Sequence, residues 1–182
     1  MFILLAIPLG IVAGYALGGR LDRLADLHFR WGGLAFAGLL VQVVLFTEAV
    51  GSVIGRDLGA VIYVASATGV LIAVVLNARL PGIAILAMGA TLNLAAILAN
   101  GGVMPTTEAA LATAGLADRP GLSNSAVLAN PALVPLTDVF ALPSWFPLTN
   151  VFSIGDVLIG LGVAVLLAFG MSRPRRTPRP AV

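Results

Sequence analysis

The sequence predicts an all-α membrane protein of about five transmembrane helices, and three observations carry that prediction. Hydrophobic residues fill 59% of the 182 positions and only 10% are charged, less than half the roughly one quarter with which a soluble domain covers its surface. Apolar runs occur at 2–19, 32–50, 58–77, 82–99 and 154–171, close to the roughly 20 helical residues that cross a hydrocarbon core. All ten basic residues are arginines, and they gather at the ends of these runs.

The arginines orient the spans. Arg20, Arg23, Arg30, Arg79, Arg173, Arg175, Arg176 and Arg179 fall between runs on one side, and Arg56 and Arg119 on the other. Placing the larger set in the cytoplasm puts the N-terminus outside and the C-terminus inside. The expectation is one integral membrane domain over 1–182, multi-pass in the bacterial inner membrane. It has a proline-rich outer loop at 100–153 and a cytoplasmic tail at 172–182. The first run has no basic residue before it and no A-x-A site after it, so it reads as a retained span rather than a signal peptide.

Composition removes several function classes. The chain has no cysteine, which excludes a disulfide framework, a thiolate metal site and a thiol nucleophile. A single histidine, His28, excludes a zinc site built on several imidazoles. A net charge of only +2, with the arginines at span ends, leaves no nucleic-acid partner. No phosphate-binding glycine loop, haem ligand pair or metal cluster is visible, so no cofactor is assigned.

Gly10, Gly14 and Gly18 recur every fourth residue in the first span, a stripe that lets two backbones approach closely. It serves either a neighbouring span of the same chain or a homo-oligomer or other membrane-protein partner. Gly155, Gly160 and Gly162 repeat the theme in the last span. Residues 21–30 (LDRLADLHFR) predict a short amphipathic helix on the cytoplasmic surface, with His28 in the headgroup zone.

Polar residues within the spans are few, and unpaired polar groups in lipid are costly. Gln42 and Asn93 lie inside the runs; Glu48, Asn100 and Asp156 lie near outer ends. Asn93 and Asn100 are seven apart and share a helix face. They line one polar seam, or Asn93 acts as a hydrogen-bonding tie between helices.

The long loop is too apolar to be disordered. A short helix is expected over 107–117, capped by Thr106 or Thr107, with Glu108 in its first turn. Pro120, Pro131, Pro135, Pro143 and Pro147 then divide the chain into extended or turn pieces. Trp145 and Phe146 suit a membrane–water interface, so the loop reads as a structured cap.

Two carboxylates stand out there. Asp138 follows Pro135-Leu-Thr, and Asp156 opens the last span. Paired carboxylates resist double ionisation, and such a pair can activate water while protonating a carbonyl. Asp156 also has a local explanation, because Ser153 and Asp156 have capping-box spacing. Asp138 has none.

Asp138-Val-Phe140, followed by Phe152-Ser-Ile-Gly-Asp156, resembles the C-terminal part of bacterial lipoprotein signal peptidase, a family of membrane aspartyl endopeptidases. The Trp145-Phe146-Pro147 stretch between them is similar too. The resemblance implies that Asp138 and Asp156 are a catalytic pair, with Asn100-Gly-Gly-Val-Met-Pro105 a faint echo of another family segment. Ser153 and Gly155 stand where that family has Asn and Ala. Over nearly the whole chain, the arrangement of the Asn100–Pro105 segment, proline-rich loop and Val151–Asp156 segment is similar to an uncharacterised family of small bacterial membrane proteins, a domain of unknown function.

Three readings of function follow. The first is a non-catalytic accessory or scaffold protein in the bilayer, supported by sparse polar content and glycine faces. The second is a membrane aspartyl hydrolase using Asp138 and Asp156, with Asn100, Ser153 and Asn93 as supporting polar groups. The third is a small-ligand transporter or binder using the Asn93/Asn100 seam.

Overall fold

The computed structural model describes residues 2–117 and 125–172, and over these the chain is mostly helical. Arg119, Pro120, Arg173, Arg175, Arg176 and Arg179 lie outside the described residues, and so do the expectations that rest on them. Five helices form the body: α1 (Ala6–Ala16), α2 (Gly32–Leu45), α4 (Arg56–Val75), α5 (Ile83–Ala99) and α7 (Ile154–Ser172). Two short ones, α3 (Glu48–Ile54) and α6 (Glu108–Ala114), lie in the connections. Two helices, α4 with 20 residues and α7 with 19, are long and apolar enough to cross a membrane. α2, α5 and the stretch Ile3–Ala16 are apolar but shorter.

The boundaries depart from expectation where local hydrogen bonding overrides hydropathy. The run 32–50 is two helices: α2 closes at Leu45 as the Thr47 hydroxyl donates to the Val44 carbonyl at 2.7 Å, and α3 restarts at Glu48. The first run narrows to α1 behind a 3-10 turn at Phe2–Leu5. It ends where Gly18 takes φ +71° and the Gly19 N–H returns to the Gly14 carbonyl, an αL termination that glycine permits. Residues 21–30 do not make a full amphipathic helix. Only Leu21–Asp26 winds, as a 3-10 segment, and His28 lies beyond it with Nδ1 3.0 Å from the Asp26 carbonyl oxygen.

The helices lie in the order α2, α4, α5, α7, α1, each against the next. Glycine spacing sets this order. Gly82, which caps the start of α5, and Gly89 within it face Gly162 and Gly155 of α7, each pair seven apart, so the helices are antiparallel. A Cβ at Gly162 would lie 2.7 Å from the Gly82 carbonyl oxygen and 2.6 Å from the Leu86 nitrogen. Backbones meet there because neither carries a side chain. On the far side of α7, a Cβ at Gly10 would lie 2.8 Å from Ala164 Cα, and one at Gly14 would strike Met171. That pairing is parallel, and it fills the α1 glycine face from within the chain. Gly18 is outside the helix and meets nothing within 4 Å. Gly38 of α2 packs on Ser66 and Val70 of α4, and α4 meets α5 where Tyr63 and Val64 cover Ala96 and Ile97.

At one end of the row stands a cap built from the described residues of the 100–153 segment, 100–117 and 125–153. Strand β1 (Met104–Thr106) pairs in parallel with β2 (Ser125–Val127), and β3 (Phe140–Ala141) pairs antiparallel with β4 (Val151–Phe152). α6 is capped as expected, the Thr107 side chain accepting from the Ala110 N–H at 3.1 Å. It packs Ala110 and Ala114 on Val151. The Phe140 and Phe152 rings stack at 5.6 Å.

Candidate functional site

The cap positions Asp138 by main-chain pairing. Pro135 sits in a 3-10 turn at Val134–Leu136, which packs on α5 and α7. The chain leaves this turn through Thr137, 1% exposed, whose hydroxyl donates to the Val134 carbonyl. Asp138 then forms a parallel bridge with Thr106, on the side of β1 opposite β2. Its N–H donates to the Pro105 carbonyl at 2.9 Å, and the Thr106 hydroxyl donates to the Asp138 carbonyl at 2.9 Å.

The side chain is thereby held inside the cap, 6% exposed. Oδ2 accepts from the Ser125 hydroxyl at 2.9 Å, while Oδ1 is buried with no hydrogen-bond partner. Burial is the main force on its ionisation and the charge of Asp156 the next. Together they push the carboxyl from 3.8 up to about 6, against the opposing Ser125 hydrogen bond.

Asp156 is held differently. The Ser153 hydroxyl accepts from the Asp156 N–H at 3.1 Å, and Asp156 Oδ2 accepts from the Ser153 N–H at 3.1 Å. This is the reciprocal capping box that the Ser-x-x-Asp spacing predicts. Asn93 of α5 closes the arrangement. Its Nδ2 donates to Asp156 Oδ1 at 2.8 Å, and its Oδ1 accepts from the Ser153 hydroxyl at 2.8 Å. Gly155 makes room for this amide, since a Cβ there would collide with Asn93 Oδ1. The helix tie and the helix cap are one four-bond network.

The structure therefore brings Asn93, Ser153 and Asp156 into contact and couples Asp138 to Asp156 through charge, without a hydrogen bond between the carboxylates. Asn100 goes elsewhere. Its Nδ2 donates to the Ala96 and Ala132 carbonyls, and its Oδ1 accepts from the Ala132 N–H at 2.8 Å. Asn93 and Asn100 therefore do not line a common seam. One ties α5 to α7 and the other pins the loop to the end of α5.

Sequence reasoning missed Ser125 and Thr137, and it read Thr106 only as a possible helix cap. Ser125 stands in an ordinary polar stretch, and nothing local marks it as the partner of a carboxylate 13 residues on. Among the described residues no three His, Cys, Asp or Glu side chains group to hold a metal ion.

Residues 26–168 match the model of a family of unknown function, DUF5317. No curated protein and no solved structure matches the chain. The comparisons lend no support to the local similarity with lipoprotein signal peptidase.

Proposed function

Because the chain belongs to DUF5317, a family of unknown function, we propose from its structure a five-span protein of the bacterial inner membrane. In this reading it serves as a non-catalytic accessory or scaffold. One observation carries the membrane reading. Leu9 and Val12 on α1, Phe36 and Val43 on α2, and Val61 on α4 are each about two-thirds exposed, so the bundle turns large apolar side chains outward on helix after helix. Such a surface calls for lipid or protein cover. The helix directions support five spans: α1, α4 and α7 run one way, and α2 and α5 the other. Arg20, Arg23, Arg30 and Arg79 lie at the end away from the cap, the cytoplasmic end by the arginine rule.

The scaffold reading is supported by how the interior polar groups are used. Asn93, Ser153 and both oxygens of Asp156 are spent on one tie between α5 and α7. The lipid bilayer and a membrane-protein partner are the contacts this reading requires, at faces other than the Gly10–Gly14 side that α7 fills. The absence of cysteine makes the topology directly testable. A thiol introduced as Ala112→Cys, at an exposed position of α6, is expected to react with an impermeant reagent in intact cells. Ala78→Cys, in the α4–α5 turn, is expected to react only after permeabilisation. Equal reactivity of both, or the reverse order, would overturn the orientation. Co-purification of the tagged protein with a stoichiometric partner tests the accessory role, and recovery as a partner-free monomer would end it.

A second reading, a membrane aspartyl hydrolase, is favoured by the buried carboxyl of Asp138. Burial and the charge of Asp156 push it up to about 6, toward the range in which a carboxylic acid serves acid–base chemistry. Asp138→Asn and Asp156→Asn, each assayed for processing of membrane-anchored peptides, decide it; unchanged processing in both sinks the enzyme reading.

A further inference from the structure

Among the described residues one buried side-chain oxygen lacks a partner, Asp138 Oδ1. That atom has essentially no accessible surface. A void beside it large enough for a water would itself leave the oxygen accessible, so there is room for neither a water nor a metal ion in the closed cap. An ionised carboxylate would then hold one oxygen without any donor, and a buried charge lacking its hydrogen bonds is far more costly than a buried neutral group. The neutral acid resolves most of this. With the proton on Oδ1 no charge is buried, and Oδ2 keeps the Ser125 hydroxyl as its donor.

We propose that Asp138 is a proton latch: the cap closes over it as the neutral acid, and release of that proton loosens the junction of β1, β2 and the Asp138 strand. The latch sits where it would act on all three pieces. Asp138 touches β1 through the Pro105 carbonyl and the Thr106 hydroxyl, and β2 through Ser125. Hydrating its carboxylate requires these pieces to separate.

The charged surroundings set the sense of the switch. β1, β2 and the Val134–Leu136 turn carry no titratable side chain, and α5 carries none. α7 contributes Asp156, which disfavours a second negative charge. The Ser125 hydrogen bond acts the other way. With burial dominant, the balance falls near 6, so acidification of the medium closes the cap and alkalinisation loosens it. This inference does not depend on the scaffold reading.

The test uses the full-length protein in detergent with one buried thiol, Met104→Cys on β1, and an exposed reference, Ala112→Cys. The ratio of their labelling rates by a small thiol reagent cancels the pH dependence of the thiolate itself. The ratio is expected to rise at least about tenfold between pH 5 and pH 8, with its midpoint near 6. In Asp138→Asn it is expected to stay low and flat. Ser125→Ala, which removes the donor to the ionised form, is expected to move the midpoint upward, a readout that a merely structural serine would not change. A flat ratio in the parent overturns the latch, and so does a pH response that survives Asp138→Asn. Should Asp138→Asn fail to fold, the Ser125→Ala midpoint decides: an upward shift supports the latch and an unmoved midpoint overturns it.

Discussion

Asn77 grips the backbone of Arg30 with both ends of its amide: Nδ2 donates to the Arg30 carbonyl and Oδ1 accepts from the Arg30 N–H, each at 2.7 Å. Nδ2 also donates to the Ala73 carbonyl at 2.7 Å. The residue is 4% exposed and ties the approach to α2 to the end of α4. Beside it Trp31 takes φ 59°, a left-handed conformation that a bulky residue adopts only when its surroundings impose it.

Removing that clasp leaves two backbone groups of Arg30 without their partners. Asn77→Ala is expected to destabilise the protein by roughly 2–4 kcal/mol, from about three hydrogen bonds at about 1 kcal/mol each. Asn77→Asp is expected to be nearly as damaging, because an ionised carboxylate accepts but does not donate to the carbonyls of Arg30 and Ala73. Unfolding of the purified protein by heat or sodium dodecyl sulfate measures both. An Asn77→Ala variant as stable as the parent contradicts the assignment.

The α5–α7 contact should tolerate no side chain at its glycines. Gly162→Leu forces apart backbones that touch at Gly82 and Leu86, with an expected loss of about 3 kcal/mol or more. Gly33 of α2 has nothing within 4 Å of its Cβ position, so Gly33→Ala is expected to be neutral or to stabilise by up to about 1 kcal/mol. The same melting assay compares them.

Asn93 and Ser153 should behave as one unit. Ser153→Ala removes the cap of α7 and the donor to Asn93, for an expected loss of about 1–2 kcal/mol. Asn93→Ala removes the tie to Asp156 and Ser153 together. Combining the two is expected to cost less than the sum of the single changes, by about 0.5–1 kcal/mol or more. Strict additivity would show that the bonds act independently.

The pH dependence of stability carries the signature of Asp138. Its pKa is higher in the fold, about 6, than the ordinary 3.8, so the folded state holds the proton more tightly than the unfolded chain. Stability from this group is therefore fully present below pH 4 and is lost as pH rises through about 6. The span is roughly 3 kcal/mol at most. The measurement is the difference in stability between the parent and Asp138→Asn at pH 5 and pH 8, which isolates this group. The amide is expected to gain on the parent at the higher pH; no change in that difference would contradict the raised value.

The parts of this architecture that were legible in the sequence are those encoded by neighbours. Ser153 and Asp156 are three residues apart, so the capping box could be read directly, and the cap of α6 could be narrowed to Thr106 or Thr107. The glycine repeats announced close packing because their spacing matches a helix face, though not which helix would fill it. The hidden parts depend on distant backbone. Asn77 meets Arg30 across 47 residues, and Asp138 is placed by the main chain of Pro105 and Thr106. The strands are two or three residues long, too short for a period-2 pattern to show. The break between α2 and α3 falls at Phe46–Thr47, inside an apolar run with no proline to announce it.

The position of α7 between α1 and α5 bears on how the molecule comes to be made. Helices α2, α4 and α5 follow one another from the ribosome and are neighbours in the finished row, so they can associate as they emerge. α1 has its main partner, α7, far along the sequence. Until α7 is synthesised, Gly10 and Gly14 have no Ala164 or Met171 to pack against, and Gly82 and Gly89 present an equally vacant groove. α7 is thus the keystone between α1 and the other helices. The row can be completed only once α7 has been made, when its packing closes both grooves.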